Sequence, residues 1–117
     1  MSLRTATDAD YVALFGTQAP SAWIGLVSEA DGRKHGIGGA YRGDDGRWWV
    51  FFQRCPGVRM TKTAHKAARQ IVDVMRDAGL RGHALPDWRI DGAEVWLMRL
   101  GFRKTDEQIE GIDVWTL

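Results

Sequence analysis

The chain holds one cysteine, Cys55, among its 117 residues. A single thiol closes no intrachain disulfide and builds no cysteine zinc cage, which argues against a disulfide scaffold and against a zinc finger. A cytoplasmic setting is the plain expectation, and no metal site is expected. No apolar run approaches the roughly 18 residues that a membrane helix needs. The opening "MSLRTATDAD" has no apolar core behind its arginine, so no signal peptide is expected. No G-x-x-x-x-G-K-[ST] occurs, which excludes a P-loop, and no G-x-S-x-G occurs, which leaves serine-hydrolase chemistry without support. "GIGG" lies on a strand pattern flanked by strands rather than ahead of a helix, so a dinucleotide fingerprint has little support.

Acid is missing from one stretch. Between Gly46 and Val72 there is no Asp or Glu, while Arg47, Arg54, Arg59, Lys62, Lys66 and Arg69 all fall inside it. The net charge is only +1, so the remainder of the chain is acidic. That asymmetry fits a local anion site better than a protein coated in positive charge.

What is present is a core of one-domain size. Apolar residues make up 44% of the chain and include six tryptophans, enough to bury a single core over residues 1–117. "SLRTA" reads as a first strand. Thr7 caps a short helix with Asp8 and Asp10 in its first turn and Tyr11, Leu14 and Phe15 on its apolar face. Strands follow over Ala22–Glu29, His35–Arg42 and Arg47–Arg54, separated by "ADGRK" and "GDDG", whose Asp-Gly pairs favour an antiparallel meander. From Lys62 to Ala78, Ala64, Ala68, Ile71, Met75 and Ala78 draw one apolar helical stripe, closed by Gly79. A strand over Arg81–Pro86, a helix in "DGAEVWLMRLG" and strands in "FRKTDEQ" and "IDVWTL" complete the order β-α-β-β-β-α-β-α-β-β. The fold class is α/β (α+β), around one mixed, mostly antiparallel sheet of six to seven strands with about three helices.

The basic segment has a functional and a bland reading. A helix that begins just after a strand and a tight turn offers free N–H groups to an anion, and Arg59 and Lys62 add charge there. The bland alternative is a solvated helix face. The strand–turn–helix context favours a phosphate site.

Four stretches, in order, resemble the GCN5-related N-acetyltransferases. "LRTATDAD" is similar to that family's opening strand and helix, and "SEADGRKHGIGGAYR" to its second strand, turn and third strand. Pro56-x-x-Arg59-x-x-Lys62-x-Ala64 resembles its pyrophosphate loop, and "AEVWLMRLGFRK" its last helix and entry to the sixth strand. The resemblance implies an acetyl-CoA-dependent transferase acting on an amine acceptor, small molecule or protein. It implies acetyl-CoA contacts along Phe51, Phe52 and Gln53 and at Arg59, Met60, Thr61, Lys62, Thr63 and Ala64. A backbone N–H between Val50 and Gln53 would polarise the carbonyl at a splay between the fourth and fifth strands.

Two positions depart from the family pattern. Lys62 stands where the loop carries its middle Gly, and Leu97 where a Tyr often protonates the leaving thiolate. The fourth strand, "RWWVFFQ", also lacks an acid to serve as base. His83, Asp87 and Asp91 are the candidates for that role, although Asp91 reads more readily as the cap of the helix that follows it and a strand histidine is more often a packing residue. Trp88, in a loop on the acceptor side, is the candidate substrate contact. Trp48 and Trp49 point to opposite faces of their strand. Core packing is expected for Trp23, Trp96 and Trp115.

Two other function classes stand beside the enzyme. Lys62 and Leu97 motivate a catalytically impaired module that binds acyl-CoA or a protein partner. The basic span with its aromatics motivates nucleic-acid binding, which the sequence pI of about 7.9 disfavours. A homodimer is left open.

Overall fold

The computed structural model describes residues 2–55, 62–87 and 89–117. Among them the chain forms β1 (Ser2–Thr5), α1 (Asp8–Phe15), β2 (Trp23–Ala30), β3 (Arg33–Arg42), β4 (Trp48–Arg54), α2 (Lys62–Asp77), β5 (Gly82–Ala84), α3 (Ala93–Arg99), β6 (Arg103–Ile109) and β7 (Ile112–Thr116). The strands make one sheet in the order β1-β2-β3-β4-β5-β7-β6. Every pairing is antiparallel except β4 with β5. The expected element order and mixed sheet are therefore observed.

Local chemistry explains the elements. Thr7 and Asp10 form a reciprocal capping box at the start of α1, and the Asp10 carboxylate is buried between Arg4 and Lys34 at 2.7 and 2.8 Å. Hydrogen bonds from Arg4, then from Lys34 and Thr7, outweigh the cost of burial and hold this carboxyl well below the usual carboxylate range. Asp31 and Gly32 both take positive φ, the geometry of a two-residue hairpin turn whose twist matches the strands. β3 consequently begins at Arg33, earlier than the expected His35, and Lys34 pairs across the ladder with Glu29. β5 is shorter than expected, Gly82–Ala84 rather than Arg81–Pro86, because its neighbour β4 turns away from it.

The two faces of the sheet are covered unequally. On one face the α2 stripe (Ala68, Ile71, Val72 and Met75) packs with Leu97 and Leu100, Phe102, Trp115 and the β4 residue Val50, all buried. Trp48, Phe52 and Trp96 pack against that cluster. α2 ends where the Leu80 N–H reaches the Met75 carbonyl, and α3 ends the same way from Phe102 to Leu97. Gly101 sits in that second closure at φ 99° beside the Arg76 guanidinium, where a side chain would be strained and would push the flexible Arg76 end aside.

Among the described residues the opposite face carries only α1. Tyr11 and Phe15 of α1 meet Phe51 of β4 at 6.0 and 5.6 Å between ring centres. Trp23 belongs here and not to the main core: it lies 5.3 Å from Tyr11 and donates its indole N–H to Asp8 at 2.8 Å. No helix among the described residues is long and apolar enough to cross a membrane.

Candidate functional site

The sheet splits at one place. β4 and β5 pair at only two rungs, Trp48 with Gly82 and Trp49 with His83. Beyond those rungs the strands diverge around a cleft of about 1290 Å³. β4 from Trp49 to Arg54, with Cys55, forms one wall, and Ala84 to Asp87 with α3 forms the other.

The ladder fixes which backbone groups face the split. The Cys55 N–H donates across to His35 at 2.8 Å, on the β3 side. In an antiparallel ladder the residues that bond one neighbour recur every second position, so Gln53 and Phe51 also turn toward β3. Phe52 and Arg54 therefore turn their N–H groups the other way, into the space β5 has left. Among the described residues no strand pairs with them there. A split of this kind leaves edge donors that an extended ligand can engage like an added strand.

The side chains alternate across the same wall. Val50 and Phe52 point to the helical face, where Phe52 meets Trp96 edge-on at 4.8 Å. Trp49, Phe51 and Gln53 point to the opposite face. Tyr41, opposite Trp49 in register, joins them and lies 6.2 Å from Phe51. The cleft is thus bordered by residues of both faces of the sheet.

The sequence candidates are only partly brought together. Phe51, Phe52 and Gln53 line the cleft, as do Asp87 and Asp91. Asp87 is clamped by Arg89, whose guanidinium bonds both carboxylate oxygens at 2.9 Å and whose backbone N–H adds a third bond. Those bonds hold the Asp87 carboxyl below its ordinary range. Asp91 is exposed and does not cap α3, because Gly92 occupies the cap position in a left-handed conformation. His83 does not line the cleft. It stands beside Trp49 at 5.6 Å, and burial first, then the Arg47 and Arg81 charges, push its pKa down. Its Nδ1 is buried with no hydrogen-bond partner among the described residues. Leu97 is buried and does line the split. Arg59, Met60, Thr61 and Trp88 lie outside the described residues, as do the side chains of Lys62, Thr63 and Ala64. α2, whose first turn contains no acid, is the next element after Cys55.

Sequence reasoning missed Tyr41, Arg54, Cys55, Arg89 and Arg99, which also line the cleft. Tyr41 was within reach, since alternation along β3 and the register with β4 set it beside Phe51. Burial raises its hydroxyl pKa, with smaller contributions from Tyr11 and Asp45, so the phenol stays protonated. The Cys55 thiol is likewise raised by burial, which makes it a poor nucleophile. Among the described residues no three His, Cys, Asp or Glu side chains converge on a metal-sized space.

No protein-family model matches the chain, and no curated protein does. Solved structures do. The yncA protein of Salmonella typhimurium, solved with its cofactor acetyl-CoA, superposes with a TM-score of 0.75 at 15% identity, over 100% of this chain and 92% of that one. The ribosomal-protein-alanine N-acetyltransferase of Brucella melitensis gives 0.72 at 13% identity, over 99% and 97%. An acetyltransferase of the GNAT family from Staphylococcus aureus gives 0.64 at 12% identity, over 82% and 68%.

Proposed function

Because the chain has the fold of the GCN5-related N-acetyltransferases, we propose that it is an acetyl-CoA-dependent N-acetyltransferase acting on a primary amine. The observation that carries this reading is the split between β4 and β5. It presents two edge N–H groups, of Phe52 and Arg54, that no strand among the described residues pairs, beside a cleft that borders on both faces of the sheet. A two-substrate transfer needs both features: donors aimed at a developing oxyanion and separate approaches for donor and acceptor.

In this reading the β4 edge holds the pantetheine arm of acetyl-CoA, with Phe51, Phe52 and Gln53 along it. The Phe52 or Arg54 N–H polarises the thioester carbonyl. The segment from Arg59 to Ala64, with the free N–H groups at the start of α2, takes the pyrophosphate. The acceptor nitrogen bonds the acetyl carbon as the carbon–sulfur bond breaks, and the amine proton must leave while the thiolate gains one. Asp91, exposed on the cleft wall, is the better placed of the carboxylates to accept the amine proton through water. Asp87 is tied to Arg89, and His83 stands off the cleft. Trp88 follows Asp87 directly and remains a proposed acceptor contact. We propose the 117 residues as a single domain of this kind.

A second reading has one observation in its favour. Leu97 is buried at the split and can donate no proton. A module that binds acyl-CoA without efficient turnover would tolerate that. Calorimetry with acetyl-CoA, followed by a free-thiol release assay over an amine panel, separates the two. Binding with turnover supports the enzyme, binding without turnover on any amine supports the module, and absence of binding ends both readings.

A further inference from the structure

The face of the sheet on which α1 packs is an aromatic wall leading into the cleft. Phe51 is its hub, with ring centres of Tyr11, Phe15, Tyr41 and Trp23 between 5.6 and 6.4 Å away. All five rings are half-buried, neither sealed in a core nor fully exposed. Phe51, Tyr41 and Trp49 of this wall also line the cleft. The connection from α1 to β2, residues 16–22, contains no helix, so nothing in it roofs the wall.

Charge on the rim of the wall is uneven. Asp8 holds the Trp23 indole N–H and is exposed. At the other end Asp45 and Glu107 share the cation Arg47, at 2.8 and 2.7 Å, and Arg47 lies over the Trp49 ring at 4.7 Å. Arg81, bonded to Thr116 beside His83, brings a second cation to that end, so its charges balance and the carboxylate at the wall's other end is Asp8. Aromatic faces edged by carboxylates attract an ammonium carrying an apolar arm, through ring quadrupole and charge together. The opposite side of the split offers a different surface, with Arg99 and the α3 residues Val95 and Trp96.

From this geometry we infer that the aromatic wall is the acceptor subsite, and that its occupant is a small arylalkylamine, a cationic primary amine on a short arm with an aromatic ring. The inference rests on the acetyltransferase reading for the fate of the amine, but not for its binding. Phe51 and Tyr41 grip the ring, and the neighbouring aromatic faces, with Asp8 at the rim, hold the ammonium.

The full chain, without acetyl-CoA, is titrated with 2-phenylethylamine and with putrescine, following quenching of tryptophan fluorescence. 2-Phenylethylamine is expected to bind roughly tenfold more tightly than putrescine, a ratio that the ring–ring contact putrescine cannot make would give. Phe51→Leu and, from the neighbouring strand, Tyr41→Leu are each expected to remove most of that preference while the melting temperature stays near wild type. If one variant unfolds, the other decides. Equal or tighter putrescine binding overturns the inference, and so does an aryl preference that survives in a folded variant. Thiol release with acetyl-CoA separates the two readings. Aryl-amine binding without thiol release from any amine keeps the subsite and sinks the transferase, whereas release with putrescine but not with 2-phenylethylamine keeps the transferase and sinks the subsite.

Discussion

The two faces of the sheet solve different problems. The helical face is covered by α2 and α3 and is packed to exclusion of water. Val72, Met75, Leu100 and Phe102 are each exposed by 1% or less. Among the described residues the other face carries a single eight-residue helix, and its rings remain half-buried. β4 borders both, with Val50 and Phe52 turned to the sealed side and Trp49 and Phe51 to the open one. The difference teaches where stability and function divide. The sealed face anchors the fold, which leaves the open face free to keep apolar surface in contact with water.

That division can be broken from either side. Phe102→Ala on the sealed face is expected to cost about 3–5 kcal/mol, because a fully buried ring leaves a cavity, and urea denaturation measures it. Gly101→Ala comes next at roughly 2 kcal/mol, since its φ of 99° suits only glycine and its new methyl group meets Arg76. Asp10→Ala tests the hinge of the open face, where α1 is fastened to β1 and β3. It removes half of a capping box and leaves Arg4 and Lys34 without their shared carboxylate, for an expected loss of about 2 kcal/mol.

The same residue gives a pH dependence. The folded pKa of Asp10 is depressed, so its contribution is complete above the unfolded value of about 4 and is lost as pH falls toward the folded value. Wild-type stability is expected to decline with acidification below about pH 4, and the decline in Asp10→Ala is expected to be shallower, as read from melting curves at successive pH values. A parallel decline in both proteins would show that this ion pair does not govern the acid limb.

Smaller effects sharpen the contrast. Thr116→Val removes a hydroxyl that donates to the Gly82 carbonyl and accepts from Arg81, at an expected cost of about 1 kcal/mol. Phe51→Leu is expected to cost less than about 1.5 kcal/mol despite deleting the hub ring, because a half-buried site loses little area and keeps an apolar side chain. A loss from Phe51→Leu as large as that from Phe102→Ala would erase the distinction between the two faces.

Much of the architecture was legible in the chain because it is written in local rules. The Asp-Gly pair at 31–32 announced a hairpin, and the 3.6-residue stripe from Ala68 to Met75 announced the helix that seals the core. Thr7 and Asp10 marked the start of α1. Local rules failed where a competing residue could satisfy the same need. Asp91 looked like a cap, but Gly92 takes that place with a backbone conformation open to glycine. Trp23 looked like core, yet its indole N–H finds Asp8 at the rim of the open face.

The sequence by itself determined the order of elements, the meander and the acid-free basic segment, because caps, turns and periodicity act over a few residues. Only the tertiary structure decided that β4 and β5 part after Trp49 and His83, which leaves the Phe52 and Arg54 N–H groups without a strand partner among the described residues. It also separated His83 from the cleft and brought Tyr41 into it. Those outcomes depend on strand register and divergence between segments some thirty residues apart, and no local pattern of side chains encodes them.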